Sequence, residues 1–331
     1  MNTIPTTFNE TVTPYTAVGG KERIASTGLS AVILNRQGRY PRRTFFQELE
    51  KTGFDYVISI ESASRHYDIE ELSGRFPFVR FVLPEREMNL GEQINLAASE
   101  TESPLFFVLR NDLKIIAGGT AERMAERLTR EETGEKNSVF KRLCTVPVIM
   151  NSRYEILPTM AVPVTRRRKM QTVAMEGRTE GRLSLYPFDG VGIYDRRRFI
   201  QMNGFDITLC NTHWQLMDFG FRAHLWGEEI ALSLQLKLSC DGELPSEDFT
   251  AEESYYRFYL KNLAPVFRGD HAHLPLHRFP NFLFKSGEDI FSAWEEFSEC
   301  RSWVKKNQFR WRGDARKVAG YWDEASAEKT G

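Results

Sequence analysis

Cysteine is scarce and scattered. Cys144, Cys210, Cys240 and Cys300 are the four in 331 residues, and no two form a C-x-x-C pair. That spacing argues against a zinc knuckle or a dense disulfide framework and points to free thiols in a reducing compartment. An excess of one charge is also lacking. With 44 Lys and Arg against 45 Asp and Glu the formal charge is −1, which excludes a protein drawn to nucleic acid or an anionic membrane surface by net charge. No run approaches the ~20 apolar residues of a membrane span. The opening segment, MNTIPTTFNETVTPYTAVGG, has neither the basic nor the apolar region of a signal peptide. The expectation is a soluble, cytoplasmic protein.

Three active-site signatures are missing as well. There is no G-x-x-x-x-G-K-[ST] phosphate loop, no G-x-G-x-x-G after the first apolar strand, and no G-x-S-x-G elbow. P-loop ATPases, dinucleotide-binding Rossmann domains and α/β-hydrolases are disfavoured accordingly.

What is present is apolar and aromatic. Hydrophobic residues make up 41% of the chain, and its 24 Phe suit either a thick core or an apolar groove. Residues 1–27 read as an extended arm. From Gly28, short apolar runs alternate with helical patterns. Ser30–Leu34, Phe54–Glu61, Val79–Leu83 and Leu105–Leu109 are the strands, the first apolar throughout and so expected to be buried on both faces. Between the first two, Phe45, Phe46 and Leu49 share a helical face that Gly53 stops. This alternation predicts an α/β fold, a mostly parallel sheet flanked by helices. Ligands of such sheets bind beyond the carboxyl ends of the strands. That directs attention to Asn35 and Arg36, Glu61 and Ser62, Asn89 to Gly91, and Asn111 and Asp112.

Beyond Asp112 the alternation breaks. Residues 165–181 are polar and charged and read as a mobile excursion over the sheet. Leu232, Leu234, Leu236 and Leu238 alternate, predicting a strand with one apolar face. Residues 241–331 read as an aromatic, mostly helical C-terminal extension to a domain spanning 28–240. Arg166–Lys169 and Arg196–Arg198 read as solvated charge, although the second run opens a helix, where cations are slightly unfavourable.

The segments SAVILNRQGRY, YVISIESAS, EREMNLGEQINLAASETESPLFFVLRNDLKI, LYPFDGVGIYDRRRFIQMNGFD and WQLMDFGFRAHLWGEEI occur in that order. This succession resembles the family-2-type inverting glycosyltransferases, which have the GT-A fold. The resemblance implies a nucleoside-diphosphate-sugar donor and an acceptor hydroxyl, carbohydrate or other. It implies that Glu61, Ser62 and Ser64 hold the nucleotide base, and that Asn89, Gly91 and Asn95 belong to the donor site. Gly204-Phe205-Asp206 matches the family's Gly-Phe-Asp turn. Arg110-Asn111-Asp112 stands where the family has Asp-x-Asp, which binds Mn²⁺ or Mg²⁺ and the diphosphate. With an Arg in the first place, Arg110 would neutralise phosphate directly, or mark a site that no longer turns over.

Counting back from Arg222, Leu216 occupies the place of the family's general base. Asp218 and, more weakly, Asp206 and Asp189 are the remaining candidates for that role. Each acid has a plainer part open to it: Asp112 as a turn cap, Glu61 as a strand-end surface acid, and Asp218 as the partner of Arg222 four residues on. His271 or His273 could complete a metal site with Asp112, and Arg268 could hold a phosphate. A decayed, binding-only scaffold and a nucleotidyltransferase using Arg36, Gly38 and Arg39 are the alternatives.

Overall fold

The computed structural model describes residues 13–35, 41–63, 68–117, 119–134, 141–166, 169–242 and 244–327. Arg36, Gly38, Arg39, Ser64, Arg167 and Arg168 lie outside them, as do the first twelve residues of the N-terminal arm.

The first described strand, β1 (Tyr15–Gly19), belongs to that arm and pairs antiparallel with β4 (Val79–Pro84), so part of the arm is an edge strand. The expected alternation then follows: β2 (Leu29–Leu34), α1 (Arg42–Thr52), β3 (Val57–Ile60), α2 (Ile69–Arg75), β4, α3 (Leu90–Glu100) and β5 (Leu105–Arg110). All six residues of β2 are buried. Val32 and Leu34 join one hydrophobic cluster, and Leu29, Ala31 and Ile33 the other. A strand covered on both faces needs this continuous apolar run. Helix α1 buries Phe45, Phe46 and Leu49 and ends at Gly53 in the left-handed conformation. Each of those side chains contributes about 2 kcal/mol of burial.

After β5 come β6 (Leu113–Ala117), α4 (Ala121–Gly134), β7 (Lys141–Met150), β8 (Met160–Arg166), β9 (Lys169–Met175), β10 (Gly192–Asp195), α5 (Arg196–Gln201), α6 (Thr212–Leu225) and β11 (Glu228–Cys240). The main sheet has the order β1-β4-β3-β2-β5-β10-β7-β11-β6. Strands β2, β3, β4, β5, β7 and β11 run one way, and β1, β6 and β10 run against them. The sheet is thus mostly parallel, as its sequence pattern implies.

Two expectations need correction. The polar stretch 165–181 is not an excursion without regular structure, because Lys169–Met175 within it form the second strand of the β8–β9 hairpin. Nor does β11 present a single apolar face. Its register against β7 slips between Ser233 and Lys237. Leu232 and Leu234 therefore pack on one core, and Leu236 and Leu238 on the other. A bulge reverses which side of the sheet the alternating residues meet.

The C-terminal region comprises α7 (Glu253–Phe258), a π-turn (Tyr259–Leu263), a hairpin of β12 (Val266–Arg268) and β13 (His271–His273), α8 (Phe279–Ser286), α9 (Ile290–Asn307) and α10 (Ala315–Ala327). Phe258, Phe297, Val304, Trp311 and Trp322 lie in the same hydrophobic cluster as Phe219 and Phe221 of α6. The extension thus continues the core of one sheet face. No helix among the described residues is long and apolar enough to cross a membrane.

Candidate functional site

Leu34 pairs with Ile60 on one side and with Arg110 on the other. The residues that follow these strand ends therefore stand side by side. The Asn35 amide donates to Ile60 O at 3.3 Å, and the Asn111 amide to Leu34 O at 3.2 Å. Glu61 and Asp112 follow strands separated by β2 alone.

Glu61 is buried, and its Oε1 accepts from Ser59 Oγ at 2.7 Å, Asn35 Nδ2 at 3.2 Å and Arg42 Nη2 at 2.7 Å. Arg42 reaches Asp68 with its other arm, and its guanidinium lies over the Phe81 ring. Ser62 turns outward and donates to Glu87. Sequence reading missed Arg42 and Ser59. The signal for Arg42 was two arginines opening a helix, where cations are disfavoured unless a carboxylate faces them.

Arg110 is 1% exposed. Its Nε and Nη2 donate to the two oxygens of Asp112 at 2.8 and 2.7 Å, and Nη1 donates to Asp189 at 2.8 Å. Nη2 also lies 3.7 Å from the Cys240 sulfur. Burial works against the charged guanidinium, but hydrogen bonds and the charges of Asp112 and Asp189 outweigh it and raise its pKa. Asp189 has a left-handed backbone (φ 53) in the turn before β10, a conformation Asp tolerates better than most residues.

The expected metal site is not formed. Among the described residues no group of three or more His, Cys, Asp or Glu could hold a metal ion. Both oxygens of Asp112 already face a guanidinium. His271 and His273 sit on β13, packed on α9, where His271 Nδ1 meets Asp270 at 3.0 Å. A divalent cation prefers several hard oxygen ligands, and this residue set does not offer them. Arg268 is exposed on the same hairpin.

Asn89, Gly91 and Asn95 join elements together. Asn89 caps α3 in a reciprocal box with Glu92 and donates to Ile207 O. Asn95 exchanges two 2.9 Å bonds with the Phe205 backbone and is 4% exposed. The Gly91 amide donates to Gln215 Oε1 at 2.8 Å, and a Cβ at Gly91 would stand 2.6 Å from Gln215 Nε2. Only glycine allows α6 this close. These three residues hold α3 against the Gly204–Asp206 turn and α6.

Asp218 and Asp206 enter a buried ionic network. Asp218 is fully buried and accepts from Arg222 Nε and Nη2 at 3.2 and 3.0 Å and from Asn262 at 2.7 Å. Lys261 Nζ lies 3.1 Å from Asp218 and 2.6 Å from Asp206. The π-turn brings the consecutive residues Lys261 and Asn262 inward together. Burial alone would raise the Asp206 carboxyl, but Lys261 and Arg257 hold it far below the usual range. Asp218 is thus the partner of Arg222, without surface for an acceptor, and Asp206 is held by an ammonium. Neither is placed to take a proton from a substrate. Lys261 was missed, and its signal was a cation one helical turn after Arg257 in an otherwise apolar, aromatic segment.

No family model and no curated protein sequence matches the chain. Among solved structures, the crystal structure of GalNAc-T7 with UDP, GalNAc and Mn²⁺ matches with a TM-score of 0.51 at 14% identity. The match covers 82% of this chain and 54% of that one, so the chain spans about half its length. The fold is GT-A-like. The crystal structure of TarS from S. aureus also matches, at 14% identity and a TM-score of 0.47, over 70% of this chain and 38% of that one. In the GT-A-like frame, the Glu61 and Arg110 clusters lie at the carboxyl ends of β3, β2 and β5, where open α/β sheets bind ligands.

Proposed function

We propose that the protein is a glycosyltransferase that moves a sugar from a nucleoside-diphosphate donor to an acceptor hydroxyl, with inversion at the anomeric carbon. The observation that carries this reading is the adjacency, across β2, of the Asn35–Glu61 and Arg110–Asp112 clusters within a GT-A-like fold. Glu61 and Asn35 face the nucleoside, the carboxylate accepting from its hydroxyl or amine groups, while Ser62 is turned outward to Glu87. Asn111 and Asp112 face the diphosphate end. Inversion follows from one in-line displacement, in which a base draws the proton from the acceptor opposite the leaving group.

A second reading is a binding protein that holds the nucleotide or sugar without turnover. The burial of Asp218 and the capture of Asp206 by Lys261 favour it.

Isothermal titration and thermal shift against nucleoside diphosphates and their sugars test the common premise, since a ligand of the folded state raises the melting temperature. Binding without product release supports the second reading. No binding to any nucleotide defeats both.

A further inference from the structure

We infer that Glu247 is the base that receives the acceptor's proton, held by Tyr186 and His213 as positioning residues, with Phe249 as the face on which a sugar acceptor stacks. This rests on the transferase reading above and supplies the base that Asp206 and Asp218 do not.

Two of the three chain segments that build the cluster lead to residues touching Arg110. Tyr186 stands three residues before Asp189, and Glu247 seven residues after Cys240. The Tyr186 hydroxyl donates to both Glu247 oxygens, at 2.9 and 3.2 Å. Burial and the neighbouring carboxylate push the Tyr186 phenol well up, which keeps it a donor. His213 opens α6 with its Nδ1 3.4 Å from Glu247 Oε2. That nitrogen is buried and makes no hydrogen bond, on a residue 3% exposed. A buried polar atom left unpaired calls for an explanation, and catalytic contacts are often long until substrate closes the site.

The acids at the strand ends and in the α6 network each face a cation. Glu61 pairs with Arg42, Asp112 and Asp189 with Arg110, Asp206 with Lys261, and Asp218 with Arg222 and Lys261. Glu247 has a phenol and an imidazole as partners, and its side chain keeps 23% of its surface exposed. Asp248, the next residue, also faces His213 and is bonded to Thr250. Phe249 is 56% exposed, with its ring centroid 4.5 Å from that of His213. An open aromatic face beside a carboxylate suits a carbohydrate, which offers an apolar C–H face and hydroxyls together.

The step balances. The acceptor O–H bond breaks and its proton passes to a Glu247 oxygen. The acceptor oxygen forms the new bond to the anomeric carbon. The bond from that carbon to the diphosphate oxygen breaks, and its electron pair leaves on the nucleoside diphosphate. Glu247 returns the proton to solvent.

The test measures nucleoside-diphosphate release from UDP-, GDP- and dTDP-sugars with methyl glycosides as acceptors, alongside titration of UDP, GDP and dTDP. Glu247→Gln, which keeps an oxygen for Tyr186, should lower kcat by about 10²- to 10⁴-fold with nucleotide affinity unchanged. Tyr186→Phe, which removes the hydroxyl that donates to both Glu247 oxygens, should lower kcat while acceptor KM and nucleotide affinity stay unchanged. Phe249→Ala, at a position 56% exposed, should raise acceptor KM more than it changes kcat. Near-normal turnover in Glu247→Gln, or an unchanged KM in Phe249→Ala, overturns the assignment. So does a wild-type protein that binds nucleotide yet releases none from any donor, which leaves the nucleotide site standing. Absence of nucleotide binding removes the transferase reading itself.

Discussion

Arg110 grips Asp112 through both edges of its fork, with Nε 2.8 Å from one carboxylate oxygen and Nη2 2.7 Å from the other. A residue expected to bind either a cation or a phosphate is thereby engaged by its own neighbour two positions earlier. The pair takes both oxygens that a divalent ion would need.

Nucleotide affinity should therefore not depend on metal. Titration of UDP with EDTA or with Mn²⁺ should give dissociation constants that agree within a few-fold. A gain of about tenfold with Mn²⁺, about 1.4 kcal/mol, would show that Asp112 leaves Arg110 to coordinate the ion.

Arg110→Met should destabilise the fold. It removes from Asp189, 4% exposed, the charge of the Arg110 guanidinium. Removing one partner of a buried pair costs about 3 to 5 kcal/mol, readable as a shift of the urea midpoint with an unchanged slope.

Asp218→Asn should act on stability too. Lys261 and Arg222, both 3% exposed, lose a shared anion, and about 3 kcal/mol is expected for leaving buried charge unpaired. A variant that melts like the wild type but has lost turnover would instead return Asp218 to the reaction.

Glu296 sets a pH dependence in the C-terminal region. Burial and then the charge of Glu288 raise its carboxyl to about 7, against the opposing pull of Arg257. The folded state binds this proton more tightly than the unfolded chain. Stability is therefore lost as pH rises from about 4.5 through about 7. Glu296→Gln should melt higher than the wild type at about pH 8, with the difference fading toward about pH 5. Parallel melting curves across that window would refute the assignment.

Gly220→Ala tests how closely α6 lies on the loop after β9. Alanine normally improves a helix interior. Here the added Cβ would stand 2.2 Å from Leu185 O, and overpacking of this kind costs about 1 to 3 kcal/mol. A thermal melt higher than the wild type's would mean the contact yields freely.

The sequence by itself determined the frame: the doubly buried β2, the helix ended by Gly53, and the strand ends at Asn35, Glu61 and Asp112 where a ligand site belongs. These are local properties, since apolar periodicity and a left-handed glycine act within one turn or one strand. The tertiary structure decided which charges meet. Arg110 finds Asp189 79 positions away, and Lys261 finds Asp206 55 positions away. No local pattern encodes such pairings, because a buried ion takes whatever counter-charge the packing brings within reach. The same holds for β11, whose even leucine spacing gives no sign of the bulge that divides it between two cores. Register is a bargain with β7, and only the neighbouring strand reveals its terms.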